Sequence, residues 1–156
     1  MKKIYLLIAF GLWAIATALN QPPIGSHGAD RGEALLIGAQ TDKKVLSIFE
    51  RSCQNCHSSA TEWPLYSRLY PISALIEHDV LEARSHMDLS QWQSYDDTQK
   101  RRILAEIGSV VRNGVMPPAR YTLVHPEAKL SPDDISAIYQ WTRSNRNSLK
   151  RAQANP

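Results

Sequence analysis

The sequence predicts an all-α protein. Beyond residue 41, apolar residues recur at intervals of three and four positions along several stretches, the spacing of one face of an α-helix. No run alternates apolar and polar residues for long enough to indicate a strand. The length of 156 residues suits one domain. We therefore expect a single helical domain, preceded by a segment of different character.

The N-terminal segment has the features of a secretory signal. Lys2 and Lys3 precede the largely apolar run "IYLLIAFGLWAIATAL", and Ala16-Thr17-Ala18 supplies a small-x-small cleavage pattern. We predict a signal peptide over residues 1–18 that, if it is not cleaved, anchors the chain to the membrane. The predicted location is the periplasm or an equivalent exported compartment.

The rest of the chain divides by composition. Residues 19–40 combine Gly, Pro and polar residues with little periodicity and predict a flexible tether; residues 41–147 form the expected domain, and residues 148–156 a polar tail. The formal charge of +3 falls to +1 when the two signal lysines are removed. So small an excess indicates neither a nucleic-acid partner nor an anionic membrane, so the only membrane contact expected is through the anchor.

Helical faces and caps define the elements. In "TDKKVLSIFERSC", a stripe with Thr41 or Asp42 as N-cap ends at Cys53. Further helices are predicted from Pro71, Thr98 and Pro132, the last with Ser131 as its N-cap. The carboxylate pairs Asp96-Asp97 and Asp133-Asp134 sit at helix starts, where caps are more common than acid/base dyads. The expected apolar faces are Val45, Ile48 and Phe49; Ile72, Leu75, Ile76, Val80 and Ala83; Ile103, Leu104, Ile107, Val110 and Val111; and Ile135, Ile138, Tyr139 and Trp141.

The chemistry of the chain is concentrated in "RSCQNCHSS". Cys53 and Cys56 are the only cysteines, and His57 follows the second. Two thiols at this spacing add to the two vinyl groups of one haem, and the histidine then becomes the proximal iron ligand. The pattern predicts one covalently attached haem c inside a small cytochrome c-like helical domain.

Other chemistries use the same residue types. An exported cysteine pair often closes into a disulfide. A thioredoxin-like redox pair belongs to a βαβ setting, and a structural zinc site needs a fourth ligand at suitable spacing. No strand is predicted, which argues against the redox pair, and no second cysteine pair exists, which argues against the zinc site. A plain disulfide is the main alternative to haem.

Met116 is the expected distal iron ligand. It follows a predicted helix and precedes two prolines that stiffen the backbone, in "NGVMPPARY". Met87 ends a helix and is interpreted as core packing. The histidines offer alternatives: His27, His78, His86 and His125. The spacing of Asp79 and His86 indicates either that their helix ends before His86 or that both side chains face a buried polar group such as a haem propionate.

The chain resembles a known family. "CQNCHSSATEWPLYSRLYPISALIEHDVLEARSHMDLSQW", with "MPPARYTLVHPEAKLSPDDISAIYQW" downstream, is similar to the bacterial haem-binding domain family of small exported proteins. The elements that carry the resemblance are Cys-x-x-Cys-His, Trp-Pro, Ser-x-Trp, Met-Pro-Pro and His-Pro-x-Ala-x-Leu-Ser. It implies Cys53 and Cys56 as haem thioether sites, His57 as proximal ligand and Met116 as distal ligand.

These features predict a monohaem c-type cytochrome that carries single electrons between redox partner proteins. Iron held by both histidine and methionine has no free position for a substrate, and no acid/base set is evident, so we do not expect an enzyme. The alternative is a haem-based sensor or small-ligand-binding protein with a displaceable sixth ligand.

Overall fold

The computed structural model describes residues 2–19 and 35–154, and it confirms the all-α prediction. No strand occurs in these two ranges. Seven α-helices lie within them: α1 (Lys2–Leu19), α2 (Lys43–Ser52), α3 (Gln54–His57), α4 (Ile72–His86), α5 (Asp97–Arg112), α6 (Ala119–Val124) and α7 (Pro132–Ala154). Short 3₁₀ helices cover Leu65–Arg68, Leu89–Ser94 and Pro126–Ala128.

Helix α1 coincides with the predicted signal peptide. Its large apolar side chains between Ile4 and Ile15 are exposed. Among the helices of the described ranges, none is both long and apolar enough to cross a membrane. Export and cleavage therefore stay predictions. Residues 20–34, most of the predicted tether and including His27, lie outside the described part of the chain.

The packed domain extends beyond both of its predicted ends. Leu35 and Leu36 fall within the predicted tether, yet both are buried in the core, and the Leu36 N–H donates to the carbonyl of Leu89 at 3.1 Å. At the other end, α7 continues into the predicted polar tail as far as Ala154, and Leu149 packs against the core. The packed structure is thus longer than residues 41–147 in both directions.

The core joins α2, α5 and α7. Helices α5 and α7 share an extensive contact, and Gly108 lies in it: a Cβ at this position would stand 3.0 Å from Thr142 Oγ1. The ring of Trp141 meets Phe49 edge-on, with centroids 5.2 Å apart. The buried apolar residues are Leu35, Leu36, Val45, Ile48, Phe49, Leu89, Trp92, Ile103, Leu104, Ile107, Val111, Ile138 and Trp141.

Local signals place three helices where the sequence predicts them. Asp42 caps α2 by accepting the Val45 N–H at 2.8 Å, and Asp96 caps α5 in a reciprocal pair with Gln99. Ser131 Oγ accepts the Asp134 N–H at the start of α7. These are the cap residues that the sequence indicates, so the carboxylates at these helix starts have structural roles.

Helix α4 differs from its prediction. Of the expected apolar face only Val80 is buried, whereas Ile72 and Leu75 are 43% and 53% exposed. The reason is position, because α4 packs against the short helix α3 and the 3₁₀ helix Leu65–Arg68 rather than against the α2, α5 and α7 core. An apolar face therefore stays partly open on the helix that contacts the Cys-x-x-Cys-His motif.

Candidate functional site

The motif forms one compact turn at the end of α2. The Cys53 N–H closes α2 by donating to the Phe49 carbonyl at 2.9 Å, and the Cys53 carbonyl then accepts the His57 N–H at 3.0 Å. Helix α3 is this single turn. Cys53, Cys56 and His57 are thus held together as a local unit that begins on the packed core.

His57 is oriented by a backbone carbonyl. Its Nδ1 lies 3.1 Å from the carbonyl oxygen of Met87. A carbonyl only accepts, so Nδ1 must carry the proton and Nε2 is left with a free lone pair. Burial lowers the pKa of His57 against the opposing effect of the Met87 and Ala83 carbonyls. A neutral imidazole whose second nitrogen is fixed by a carbonyl is the form that binds a metal.

Both cysteines are free thiols in this structure. Burial raises the pKa of the Cys53 thiol to about 12, with Cys56 adding to the rise and Arg51 opposing it. The pKa of Cys56 is also raised, first by burial and then by Asp79, against Arg120 and Arg84. The two sulfurs are therefore protonated at neutral pH, and the structure does not pair them as a disulfide.

The loop after the motif is held by serine and threonine hydroxyls. Ser58 Oγ donates to the Gln54 carbonyl at 2.8 Å, and Ser90 Oγ accepts the Ser59 N–H at 3.0 Å. Thr61 Oγ1 donates to the Asn55 carbonyl at 2.7 Å. Ser58 and Ser90 are buried, so these bonds replace water and make the motif turn rigid.

Arg84 brings a positive charge to the motif from α4. Its Nη2 donates to Thr61 Oγ1 at 2.8 Å. Its charge opposes the rise in the pKa of Cys56 that burial and Asp79 cause. Its Nε is buried and has no hydrogen-bond partner in the structure. A buried guanidinium donor of this kind suits a carboxylate, and haem carries two propionate carboxylates.

Helix α6 and the residues after it are tied to the motif side of the molecule. Asn55, inside the motif, donates from Nδ2 to the Tyr121 hydroxyl at 3.1 Å. Arg120 forms a bidentate ion pair with Asp79 of α4, the shorter contact being 2.9 Å. Residues distant in sequence are thereby held against the segment from Cys53 to Arg84.

A third connection in this region is a relay of two hydrogen bonds through His125, one with Glu127 and one with Tyr66. Hydrogen bonds from its own backbone and from His125 lower the pKa of Glu127. The ionised carboxylate accepts from His125 Nδ1 at 3.0 Å, so His125 Nε2 accepts from the hydroxyl of Tyr66 at 2.5 Å. Tyr121 stacks on the same imidazole with ring centroids 4.5 Å apart.

Met116 lies where the chain leaves α5 for α6. Its backbone N–H donates to the Val110 carbonyl at 3.3 Å, and its side chain is half-buried. Pro117 and Pro118 lead directly into α6. The loop is therefore fixed to α5 at one end and, through the Asn55–Tyr121 hydrogen bond, to the motif at the other.

The described histidines other than His57 lie beside polar or charged partners outside the motif. Both ring nitrogens of His125 have partners. His78 is exposed beside Glu82. His86 is 61% exposed and lies 3.9 Å from Glu106. The prediction that the helix ends before His86 is wrong, because α4 includes His86. Asp79 is partly buried and pairs with Arg120, and the alternative that Asp79 and His86 face a haem propionate stays a prediction.

The structure offers no support for a zinc site at the motif. In the described residues, the side chains close enough to hold a metal ion are those of His78, Asp79 and Glu82, which are on the surface of α4. Neither cysteine belongs to such a group. Exposed acidic groups of this kind are common without a metal.

Comparison with known proteins establishes the family. A family model described as a haem-binding domain matches residues 13–144. The chain therefore belongs to the haem-binding domain family, and its cofactor is haem. Cytochrome c peroxidase Ccp of Escherichia coli (strain K12) is 27% identical over 155 residues, which cover 94% of this chain and 33% of the peroxidase. The chain thus spans about one third of that relative's length, and no solved structure matches it.

The Tyr66–His125 hydrogen bond provides a test of how the α6 region is held. Tyr66→Phe leaves His125 Nε2 without its donor, so we expect a loss of about 0.5–1.5 kcal/mol in the free energy of unfolding, measured with urea. Tyr70→Phe is the matched control, since Tyr70 is exposed. Equal unfolding midpoints for the two variants would show that the relay contributes nothing to stability.

Proposed function

We propose that this haem-binding protein is a monohaem c-type cytochrome. Cys53 and Cys56 form the two thioether bonds, His57 is the proximal ligand and Met116 the distal ligand. The observation that carries the proposal is the hydrogen bond from His57 Nδ1 to the Met87 carbonyl, which leaves Nε2 available to iron. The bound haem supplies a one-electron iron couple.

The surroundings of the motif suit a porphyrin. The partly exposed apolar face of α4, with Ile72 and Leu75, provides apolar contact area on the helix that touches α3. Arg84 provides the buried donor for one propionate. The protein thus presents an apolar surface, a charged anchor and an iron ligand on neighbouring elements.

The way its loop is held supports Met116 as the sixth ligand. A thioether on a loop fixed at both ends keeps its position when the iron changes charge, which favours rapid electron exchange. With His57 and Met116 both holding the iron, no position would be left for a substrate, so we propose a carrier for redox partner proteins and not an enzyme. The activity named for the Escherichia coli relative belongs to a chain about three times as long.

Covalent attachment is tested by denaturation. We expect haem to remain with the unfolded wild-type polypeptide on a denaturing gel and to resist extraction by acid-acetone, because thioether bonds survive unfolding. The double variant Cys53→Ala/Cys56→Ala should release it. His57→Ala, which keeps both sulfurs, should retain some haem with an altered spin state. Complete extraction of haem from the wild type would rule out the thioethers.

The sixth ligand separates the carrier from the sensor. Optical spectra of the oxidised wild type should show a low-spin iron with the weak far-red sulfur-to-iron band, and the reduced protein should take up carbon monoxide slowly or not at all. Met116→Ala should abolish the band, lower the reduction potential and open the iron to carbon monoxide.

Met87→Ala is the matched control for Met116→Ala. It removes a thioether but keeps the backbone carbonyl that orients His57, so the far-red band should survive. His125→Ala should also keep the band. A wild-type protein that is already high-spin and binds carbon monoxide rapidly would contradict the carrier and favour a haem-based sensor or small-ligand-binding protein.

We propose an exported location, in the periplasm or its equivalent, on the strength of the N-terminal sequence pattern. Mass spectrometry of the purified holoprotein should find a mature N-terminus near Leu19, or an intact chain in the membrane fraction if the segment is an anchor. Holoprotein with Met1 retained in the cytoplasm would refute the location and leave the haem chemistry untouched.

A further inference from the structure

A basic groove lies between α5 and α7, apart from the haem motif. It encloses about 550 Å³, and none of its lining residues belongs to the motif or to the Met116 loop. We call it the α5–α7 groove. The residues that line it are Thr98, Arg101, Arg102, Ala105, Arg143, Arg146, Asn147 and Lys150.

The positive charges of this groove are largely uncompensated. Arg102 pairs with Glu106 at 3.2 Å. The other four cations, Arg101, Arg143, Arg146 and Lys150, form no ion pair in the described part of the chain. The whole sequence has a formal charge of only +3. These cations therefore concentrate positive charge in one concave region, where they repel one another unless an anion binds between them.

The basic surface continues toward the methionine loop. A second cleft of about 260 Å³ shares Arg143 and Arg146 with the groove and extends to Arg112 and Asn113. Arg112 lies over the ring of Tyr139, 5.1 Å from its centroid, and donates to the hydroxyl of that tyrosine rather than to a carboxylate. The last cation of this surface, Arg112, thus lies four positions before Met116 in the chain.

The shape of the groove selects among anionic partners. A flat lipid surface touches the rim of a concave cleft, whereas a protruding protein segment enters it and brings its carboxylates within reach of the guanidinium groups. An arginine guanidinium can bind both oxygens of one carboxylate, and three arginines of the groove form no ion pair with a carboxylate in residues 2–19 and 35–154.

We propose that the α5–α7 groove is the docking site for an acidic segment, rich in Asp and Glu, of a partner protein. The site is built by side chains outside the haem motif, so it stands whether or not the protein proves to be an electron carrier. Where the electron-carrier function holds, such a segment belongs to a redox partner.

Binding of a labelled oligoglutamate peptide to the haem-loaded protein tests the proposal by fluorescence anisotropy, with oligoglutamine as the neutral peptide. We expect binding of oligoglutamate alone, weakening as salt is added. Arg143→Gln/Arg146→Gln should lose affinity about tenfold. The charge-conserving Arg143→Lys/Arg146→Lys variant should bind with an affinity between those of the wild type and the Gln variant, because it keeps the charge but not the paired contacts. This intermediate affinity separates lost charge from misfolding.

Lys43→Gln/Lys44→Gln is the matched control, because it removes the same charge from exposed positions at the start of α2. Its affinity for oligoglutamate should change by no more than about twofold. Equal losses in the two Gln variants would reduce the effect to net charge and overturn the proposal. Tight binding to phosphatidylglycerol vesicles without binding to oligoglutamate would assign the groove to a membrane surface instead, also overturning it.

Discussion

The hydrogen bond between His57 Nδ1 and the Met87 carbonyl connects the Cys-x-x-Cys-His motif to the end of α4. Met87 is the C-cap of α4, directly after His86, and its N–H donates to the Ala83 carbonyl of that helix. The orientation of the imidazole ring is thereby fixed relative to α4, while the backbone of His57 is fixed relative to α2 through Cys53. If the carbonyl moved, the ring could rotate and Nε2 would lose its direction. The loop bonds of Ser58, Ser59 and Thr61 are useful because they keep this geometry in place.

The scaffold behind the site depends on close helix contact. Helices α5 and α7 meet where Gly108 has no side chain, next to Thr142 and Tyr139. Helix α7 in turn packs on α2, where the ring of Trp141 meets that of Phe49. Since α2 leads straight into the motif, the position of the cysteines follows from the core. The inner faces of α5 and α7 thus build the core, and their outer edges form the basic groove.

The sequence is a good guide where the signal is local. The starts of α2, α5 and α7 are predicted by Asp42, Asp96 and Ser131 because caps act within one helical turn. The motif itself is local, and so is the Met-Pro-Pro segment. The family model agrees with the haem interpretation that these residues suggest. Local chemistry was therefore enough for the fold class and for the cofactor.

What escaped prediction depends on pairs that are far apart in the chain. Asn55 meets Tyr121 across 66 positions, and Tyr66 meets His125 across 59. No periodicity in the sequence indicates such pairs, and composition does not indicate the role of Arg84. The open face of α4 was mistaken for a core face because helical spacing reports that a face is apolar, not what covers it. Leu35 and Leu36 were assigned to a tether because two residues are too short for a periodic signal.

The high pKa of the Cys53 thiol bears on whether this cysteine can react after the chain has folded. Cysteine reacts through its thiolate, and a pKa of about 12 leaves only about one thiol in a hundred thousand ionised at neutral pH. Once the chain has folded, burial keeps this sulfur in its unreactive thiol form. If haem is attached through Cys53, as we propose, the thioether bond would therefore form before the domain has folded.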